Sequence, residues 1–397
     1  MSASRAALPE SDPVGPRARA GRALLLCLAL VLPGVGPLLA AGAPPAGAPP
    51  APAADHLALR RACAWLWARQ GPDGGWHSET YGLLASGQAL TPFVLDALLR
   101  VPETVAPRPP GGVQRALGFL RARVGPDGRV GLSIEGLPEY PTYATATTLL
   151  CLARAGDPAD APLVARLRAA LLGAQLGPDL PPDHVAGGGW GFGVRPPGHP
   201  GHMDVAHTRH ALEALRRSGG VPPAARGPAL RFLGLLQKDP AQAARQPLAG
   251  EVAPVVDGGF YFSPVVLPAS KGGALVSYAS ATCDGLLALL AAGLPGDDPR
   301  VRAAAGWLER HPRLDRPEGI PAPDLEGWAD SLTYYHLAAR AEAWAALDRP
   351  GPWRDEARAL LAAWQRPDGS FMNPAGQLMK EDDPLLATTF ALIALAE

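Results

Sequence analysis

One structural unit recurs along most of this chain. A short amphipathic helix leads into a Gly/Asp turn, and a second helix that is almost wholly apolar follows the turn. The five clear turns are Gln70–Trp76, Val124–Gly128, Gly187–Phe192, Asp257–Phe260 and Gln365–Phe371. The interval before the last turn is about twice the others, and it holds a degenerate unit around Trp307–His311. Six helical hairpins are therefore predicted.

The two helices of each unit differ in their pattern of apolar residues. The first helix carries one apolar stripe, as at Leu59, Ala62, Cys63 and Leu66, and its other face is polar. The second helix has no polar face, so it must be covered on all sides, and it is too short to cross a bilayer. This alternation predicts an all-α fold, an α/α toroid of about six hairpins with two concentric helix rings. Inner helices are expected to start near residues 91, 143, 204, 277, 331 and 384. An open solenoid is the alternative, but it would leave two apolar ends uncovered.

Net charge and the N-terminal segment bear on the partners and the location of the protein. The chain has 397 residues and a formal net charge of −1, which excludes a general electrostatic attraction to nucleic acid. Three arginines precede an uncharged run over residues 23–43 that ends in Ala41-Gly-Ala43, a pattern typical of an export signal. Residues 1–43 are therefore predicted to be a signal peptide or membrane anchor, 44–54 a Pro/Ala linker and 55–397 the toroid. The expected location is the periplasm or cell envelope, with membrane association if the segment is not cleaved.

The turn motif resembles the QW repeats of the terpenoid cyclases (squalene–hopene and oxidosqualene cyclases). The resemblance covers roughly residues 56–397 and rests on the pairs Gln70/Trp76, Gln175/Trp190, Gln237/Phe260 and Gln365/Phe371. The paired helices are also similar to the β subunits of protein prenyltransferases. This resemblance implies the toroid fold but not the reaction. The D-x-D-D stretch of squalene–hopene cyclases has no match, and the zinc ligands of the prenyltransferases are not reproduced by the adjacent Cys283 and Asp284.

Candidate functional residues are those near the starts of the inner helices, which face the central cavity in a toroid of this kind. The candidate acid and base groups are Asp204, Asp284, His207 and His336, and the candidate ligand contacts are Tyr143, Tyr278, Cys283, Tyr334 and Tyr335. Burial would raise the pKa of a carboxyl group until it could donate a proton, and aromatic rings could stabilise a cation. The structural alternatives are core packing for the aromatic residues and a helix cap for Asp204.

A metal site is not predicted. The densest set of potential ligands is His202, Asp204, His207 and His210, but steps of three residues drift around a helix by about 60° each. No cofactor is predicted either. The remaining cysteines lie within helices and are expected to be buried thiols.

These features favour an exported toroid whose central apolar cavity binds an apolar, isoprenoid-like small molecule. One alternative is a terpenoid cyclase or related isoprenoid enzyme that uses a cavity Asp as its general acid. A second alternative is a scaffold for an unspecified protein partner. Because Asp204, Asp284 and His336 lie on three consecutive inner helices, they are expected to converge on one polar spot.

Overall fold

Helical hairpins account for most of the chain in the computed structural model, which describes residues 56–131, 133–134, 137–138, 140–177, 180, 184–193, 202–241, 256–265 and 275–397. The outer helices are α1 Leu57–Trp67, α3 Gly112–Arg123, α5 Ala161–Gly173, α7 Pro223–Leu236, α9 Pro299–Arg310 and α12 Trp353–Trp364. The inner helices are α2 Leu90–Arg100, α4 Pro141–Ala155, α6 Val205–Arg217, α8 Ala279–Ala291, α11 Thr333–Ala346 and α13 Pro384–Ala396. The short helix α10, Trp328–Ser331, leads into α11.

Strand structure in the described residues is confined to one small hairpin. Strands β1 (Ser133–Ile134) and β2 (Leu137–Pro138) pair antiparallel, with Ser133 opposite Pro138. Two isolated bridges, Gly191–Met203 and Gln237–Phe260, join other segments, and neither they nor the hairpin form a layer of the fold. The predicted all-α class is confirmed.

The inner helices form a closed ring. Each contacts the next in the order α2, α4, α6, α8, α11 and α13, and α13 returns to α2. The outer helices pack against this ring from outside, with α1 lying on α13. The α/α toroid predicted from the alternation of helices is therefore confirmed, and the open arc is wrong.

Three of the described helices, α6, α9 and α13, begin after an aspartate whose side chain caps the helix. Asp298 accepts a hydrogen bond from the Arg300 N–H at 2.9 Å, and Asp383 accepts one from Leu385 at 2.8 Å. Each precedes a proline, whose fixed φ suits the first helical position. Asp204 caps α6 in the same way, which is the structural alternative predicted for it from the sequence.

Four glutamines bond neighbouring hairpins together. Each glutamine ends an outer helix, and its side-chain amide donates to one carbonyl in its own turn and one at the start of the next outer helix. The pairs of acceptors are Gly74 and Gly112 for Gln70, Gly188 and Ala225 for Gln175, Gly258 and Arg300 for Gln237, and Gly369 and Ala58 for Gln365. The last pair joins the sixth outer helix to the first and closes the ring.

The aromatic residues of four turns pack between hairpins. Trp76, Trp190, Phe260 and Phe371 are fully buried. Their backbone N–H groups donate to threonine hydroxyls on the inner helices, at Thr91, Thr208, Thr282 and Thr388 in that order. Val130 occupies the equivalent place in the second unit and donates to Thr145 at 3.0 Å.

Glycine is required where the turn touches the next outer helix. Gly188 has φ +95°, and a Cβ atom there would lie 2.2 Å from the carbonyl oxygen of Pro228 in α7. The turn backbone can approach α7 closely only because position 188 has no side chain.

The fifth unit, which lacks the turn motif, uses an arginine instead. Arg340 of α11 donates to the carbonyls of Leu308 and His311 at 3.0 and 2.7 Å, and so satisfies the C-terminal end of α9. The His311 ring stacks on Trp307 with 3.7 Å between ring centroids. The degenerate unit is therefore a complete hairpin with a different junction.

The structure describes no helix with the length and apolar character needed to span a bilayer. The predicted signal or anchor (1–43) and linker (44–54) lie outside the described residues, so export and these boundaries stay predictions. Among the described residues, Cys63, Cys151 and Cys283 are free, buried thiols, as expected.

Replacing Gln365 by Ala should destabilise the closed ring. The change removes both hydrogen bonds of the closing amide and leaves the carbonyls of Ala58 and Gly369 without that donor. We expect the free energy of unfolding to fall by about 1–3 kcal/mol, measured by urea denaturation. Gln377→Ala, on the exposed loop after α12, is the matched control. Equal midpoints for the two variants would show that this junction does not stabilise the ring.

Candidate functional site

A buried arginine lies at the centre of the inner ring. Arg209 of α6 donates to Glu213 at 2.9 Å, to Asp284 of α8 at 2.9 Å and to Glu342 of α11. Its side chain is only 2% exposed. A buried charge is stable only when it is paired and hydrogen-bonded, and three carboxylates meet that need here.

A second arginine extends this network across the ring. Arg100 of α2 binds Glu342 at 2.7 Å, Glu397 at 3.0 Å and Asp96 at 3.1 Å. Arg154 of α4 binds the other oxygen of Asp96 at 3.0 Å. Ion pairs therefore connect residues of five inner helices with Glu397, the residue that follows α13.

Burial and the arginines set the protonation of the central carboxylates. Burial raises the pKa of Asp284 to about 6, although Arg209 and the hydroxyl of Tyr335 act in the opposite direction. Burial also raises the pKa of Glu213. Burial disfavours ionisation of Glu342 too, but Arg209 and Arg100 outweigh it and hold that pKa well below its usual range. Asp284 is thus a carboxyl group that gains and loses its proton near neutral pH.

The central cavity is small and partly charged. Its volume is about 30 Å³, room for one or two waters. Apolar side chains such as Phe93, Phe390 and Ile393 share its wall with Arg209 and Glu342. The central apolar cavity therefore stays a prediction, because this small cavity has both apolar and charged walls. The inner helices were predicted to be apolar on every side. They carry a few charged residues, and these residues form ion pairs with one another at the centre of the ring.

Asp204 and His207 form a hydrogen-bonded pair at the start of α6. One oxygen of Asp204 accepts from the backbone N–H of His207 at 2.8 Å, and the other lies 2.7 Å from Nδ1 of its ring. The carboxylate can only accept, so Nδ1 carries the proton. The other ring nitrogen, Nε2, is buried and has no hydrogen-bond partner among the described residues. Nε2 of His207 is therefore the atom of this pair that could exchange a proton or a hydrogen bond with a ligand.

Aromatic rings surround this imidazole. Tyr143 of α4 lies edge-on to His207 with 4.8 Å between centroids, and Phe192 lies at 5.5 Å. Tyr140 packs on Phe192 at 4.8 Å and adopts a left-handed backbone with φ 39°. Lys380, also left-handed, places its ammonium 5.5 Å from the Tyr140 ring centroid. Strained residues cluster at functional sites, so this aromatic group is a candidate ligand surface.

Tyr335 joins the aromatic group to the central charges. Its hydroxyl donates to Asp284 at 2.6 Å, and Tyr143 lies within hydrogen-bonding reach of the same hydroxyl. Burial raises the pKa values of Tyr143, Tyr278 and Tyr335 well above the usual range, so all three hydroxyls stay protonated. Tyr278 precedes α8, and the negative charges of Asp284 and Asp204 also raise its pKa.

Glu381 holds the backbone of Tyr335 in place. Glu381 and Asp383 both lie just before α13, and Asp383 caps that helix. Glu381 instead accepts the N–H groups of Tyr334 and Tyr335 at the start of α11, at 3.0 and 2.7 Å. Burial raises its pKa to about 7.

Two of the candidate residues, His336 and Tyr334, lie away from this site. His336 contacts the carbonyl of Arg313 at 2.9 Å, in the segment after α9. The Tyr334 ring packs edge-on against Trp364 and Phe371, and Cys283 is a fully buried thiol. The expected convergence of Asp204, Asp284 and His336 is therefore not what the structure has. One residue along a helix is a turn of about 100°, so Tyr335 faces the centre and His336 faces outward.

The described residues contain no group of three His, Cys, Asp or Glu side chains placed to hold a metal ion. His210 packs against Tyr143, with 4.4 Å between ring centroids, and burial lowers its pKa well below the usual range. It is therefore a neutral ring within the wall of the site.

The fold can be compared with solved structures. A type II terpene cyclase, MstE from Scytonema in its apo form, has 15% identity over 86% of this chain and 97% of that chain, with a TM-score of 0.54. A variant of MstE in complex with merosterolic acid A has 17% identity over 86% and 96%, with a TM-score of 0.52. A glycosidase has 14% identity over 87% and 96%, with a TM-score of 0.52.

These similarities define the class of fold. The chain has the α/α-toroid fold that the type II terpene cyclase and the glycosidase also have. At such low identities the likeness shows the fold alone. No protein-family model matches the sequence, and comparison with curated proteins gives no match.

Replacing Arg209 by Leu should destabilise the fold in a pH-dependent way. The change leaves three buried carboxylates without a shared cation, at a cost of about 3–5 kcal/mol. Their pKa values in the folded state would rise above the unfolded values, so the loss grows as pH increases through the raised values. Unfolding measured in urea should therefore show a larger deficit at pH 8 than at pH 5. Arg216→Leu, an exposed position on the same helix, is the control.

Proposed function

We propose that this protein binds an apolar, isoprenoid-like ligand at the aromatic group beside the Asp204–His207 pair. The observation that carries the proposal is the arrangement around His207. Its ring lies among Tyr143 and Phe192, while its Nε2 atom is buried without a partner among the described residues. Ligand sites are mostly apolar and hold a few polar groups that fix orientation, and this group has that composition.

A toroid relative supports the choice of ligand class. Another variant of MstE is solved in complex with geranylgeranyl dihydroxybenzoate, its substrate. Isoprenoid chains are apolar and rich in double bonds, and aromatic rings pack well on such chains. Export, predicted from residues 1–43, is part of the proposal and would place the ligand in the cell envelope. N-terminal sequencing of protein recovered from the envelope tests that part.

Ligand binding is tested with a tritiated geranylgeranyl compound in equilibrium dialysis against the full chain. Phe192→Leu removes one ring of the site and keeps an apolar side chain, so we expect affinity to fall about fivefold, corresponding to roughly 1 kcal/mol. Phe119→Leu makes the same change on outer helix α3 and is the control. If both variants weaken binding equally, the ligand is bound at another site. Mass spectrometry of co-purified lipids provides an independent check.

A second candidate function is acid catalysis on the same ligand. The observation in its favour is Asp284, whose pKa burial raises to about 6 and which contacts Tyr335 beside the aromatic group. A carboxyl group with a raised pKa in a site of this kind can donate a proton to a double bond, as the cyclase alternative requires.

Catalysis by Asp284 predicts a defined pH profile. The acid form is present below about pH 6, so product formation from a geranylgeranyl compound should be greatest there and fall as pH rises through 6. Asp284→Asn should abolish product, detected by mass spectrometry, while Asp298→Asn at the cap of α9 should not. Wild-type protein that binds the ligand and forms no product at any pH would leave binding as the function.

A further inference from the structure

The side chain that caps helix α11 comes from another hairpin. The N-cap residue of α11 is Leu332, which has no side-chain cap. Glu381, in the segment before α13, accepts the backbone N–H groups of Tyr334 and Tyr335 instead. The side-chain amide of Asn373 donates to the same carboxyl group at 3.0 Å. Glu381 is fully buried, so it holds the first turn of α11 from inside the fold.

Backbone hydrogen bonds hold Glu381 itself in place. Its N–H donates to the carbonyl of Gly376 at 2.9 Å, and its carbonyl accepts from the N–H of Asn373 at 2.9 Å. Two residues further on, Asp383 caps α13. The carboxyl group of Glu381 therefore ties the start of α11 to the start of α13.

Tyr335 connects this contact to the centre of the ring. Its backbone N–H donates to Glu381 at 2.7 Å, and its hydroxyl donates to Asp284 of α8 at 2.6 Å. The aromatic ring between these two groups is rigid, and it packs edge-on against Phe390 of α13 with 5.4 Å between ring centroids. A displacement of the Tyr335 backbone would therefore move the hydroxyl away from Asp284.

The hydroxyl of Tyr335 favours the ionised form of Asp284, because a donor stabilises a carboxylate more than a protonated carboxyl group. The other charged or titratable groups around Asp284 are Arg209, Glu213, Glu342, Tyr143 and Tyr278. The hydrogen bonds of Glu381 in the described residues are to none of these groups. Tyr335 is thus the residue in contact with both carboxyl groups.

We propose that Glu381 is a positioning residue for the central acid. By accepting the Tyr335 N–H, it keeps the Tyr335 hydroxyl on Asp284 and so makes that buried carboxyl group easier to ionise. The inference concerns the protein without a ligand, so it goes beyond the proposed function and does not depend on it.

A neutral residue at position 381 separates hydrogen bonding from charge. Burial raises the pKa of Glu381 to about 7, so this group is mostly uncharged near pH 6, where Asp284 exchanges its proton. A protonated carboxyl group still has one oxygen that can accept from Tyr335. The flanking charged residues Lys380, Asp382 and Asp383 stay unchanged in all the variants below.

The test measures the pH at which Asp284 is half protonated, by infrared difference spectroscopy of its carboxyl band, which Asp284→Asn identifies. Tyr335→Phe removes the donor and should raise this midpoint by about one pH unit. Glu381→Leu removes the acceptor and should raise it by about half a unit, because the Tyr335 hydroxyl is then less well placed. Glu381→Gln keeps an oxygen acceptor and should retain the wild-type midpoint.

A double substitution shows whether the effect passes through Tyr335. In protein that already carries Tyr335→Phe, adding Glu381→Leu should cause no further rise. Asp298→Asn, at the cap of outer helix α9, is the control and should leave the midpoint unchanged. If Glu381→Leu does not fold, Glu381→Met takes its place, because its flexible side chain fills the same space.

The outcomes separate this inference from the proposed function. An unchanged midpoint in the folded apolar variant would overturn the inference, and so would a further rise on top of Tyr335→Phe. An equal rise in Glu381→Gln and Glu381→Leu would overturn it, because the oxygen acceptor would then have no effect. The expected midpoints together with no binding of a geranylgeranyl compound would support this inference and overturn the proposed function.

Discussion

The side-chain amide of a glutamine at the end of an outer helix connects one hairpin to the next. By donating to its own turn and to the following outer helix, it sets the spacing of neighbouring hairpins and brings the inner helices side by side. The inner helices have almost no polar face and are covered only because both neighbours are held against them. At Gln365 the same contact reaches Ala58, and the row of hairpins becomes a ring. The central site exists because that ring is closed.

The polar interior follows from the closed ring. Side chains at the centre cannot reach bulk water, so each charge needs a partner from another helix. Arg209 finds partners on α6, α8 and α11, and Arg100 extends the pairing to α2 and to Glu397. Burial and this pairing act against each other on both Asp284 and Glu342. Burial prevails at Asp284 and raises its pKa, whereas the two arginines prevail at Glu342 and lower its pKa. The centre therefore holds one carboxyl that is firmly ionised and one that can exchange a proton.

The sequence predicts the fold well because the repeat and the two kinds of helix are both recognised from the spacing of residues that are close together in the chain. The inner helix starts were expected near residues 91 and 384, and they begin at Leu90 and Pro384. The site was less predictable, because helix phase decides which side chains face inward. Tyr335 faces the centre and its neighbour His336 does not, and nothing in the local pattern separates them. The missed residue Arg209 did leave a signal, since a charged residue within a helix expected to be enclosed requires a partner.

A ring of hairpins differs from a linear array in having no ends. Linear repeat proteins fray from terminal units, which have one neighbour instead of two. Here every hairpin has two neighbours, so separating one from the rest breaks two junctions together. The junctions are not equivalent, because those between α3 and α5 and between α9 and α12 have no glutamine contact in the described residues. Ion pairs connect the hairpins there, Arg121 with Asp160 at 2.7 Å and Arg349 with Glu309. The ring is therefore expected to open first at one of these two junctions, and it would then have two ends.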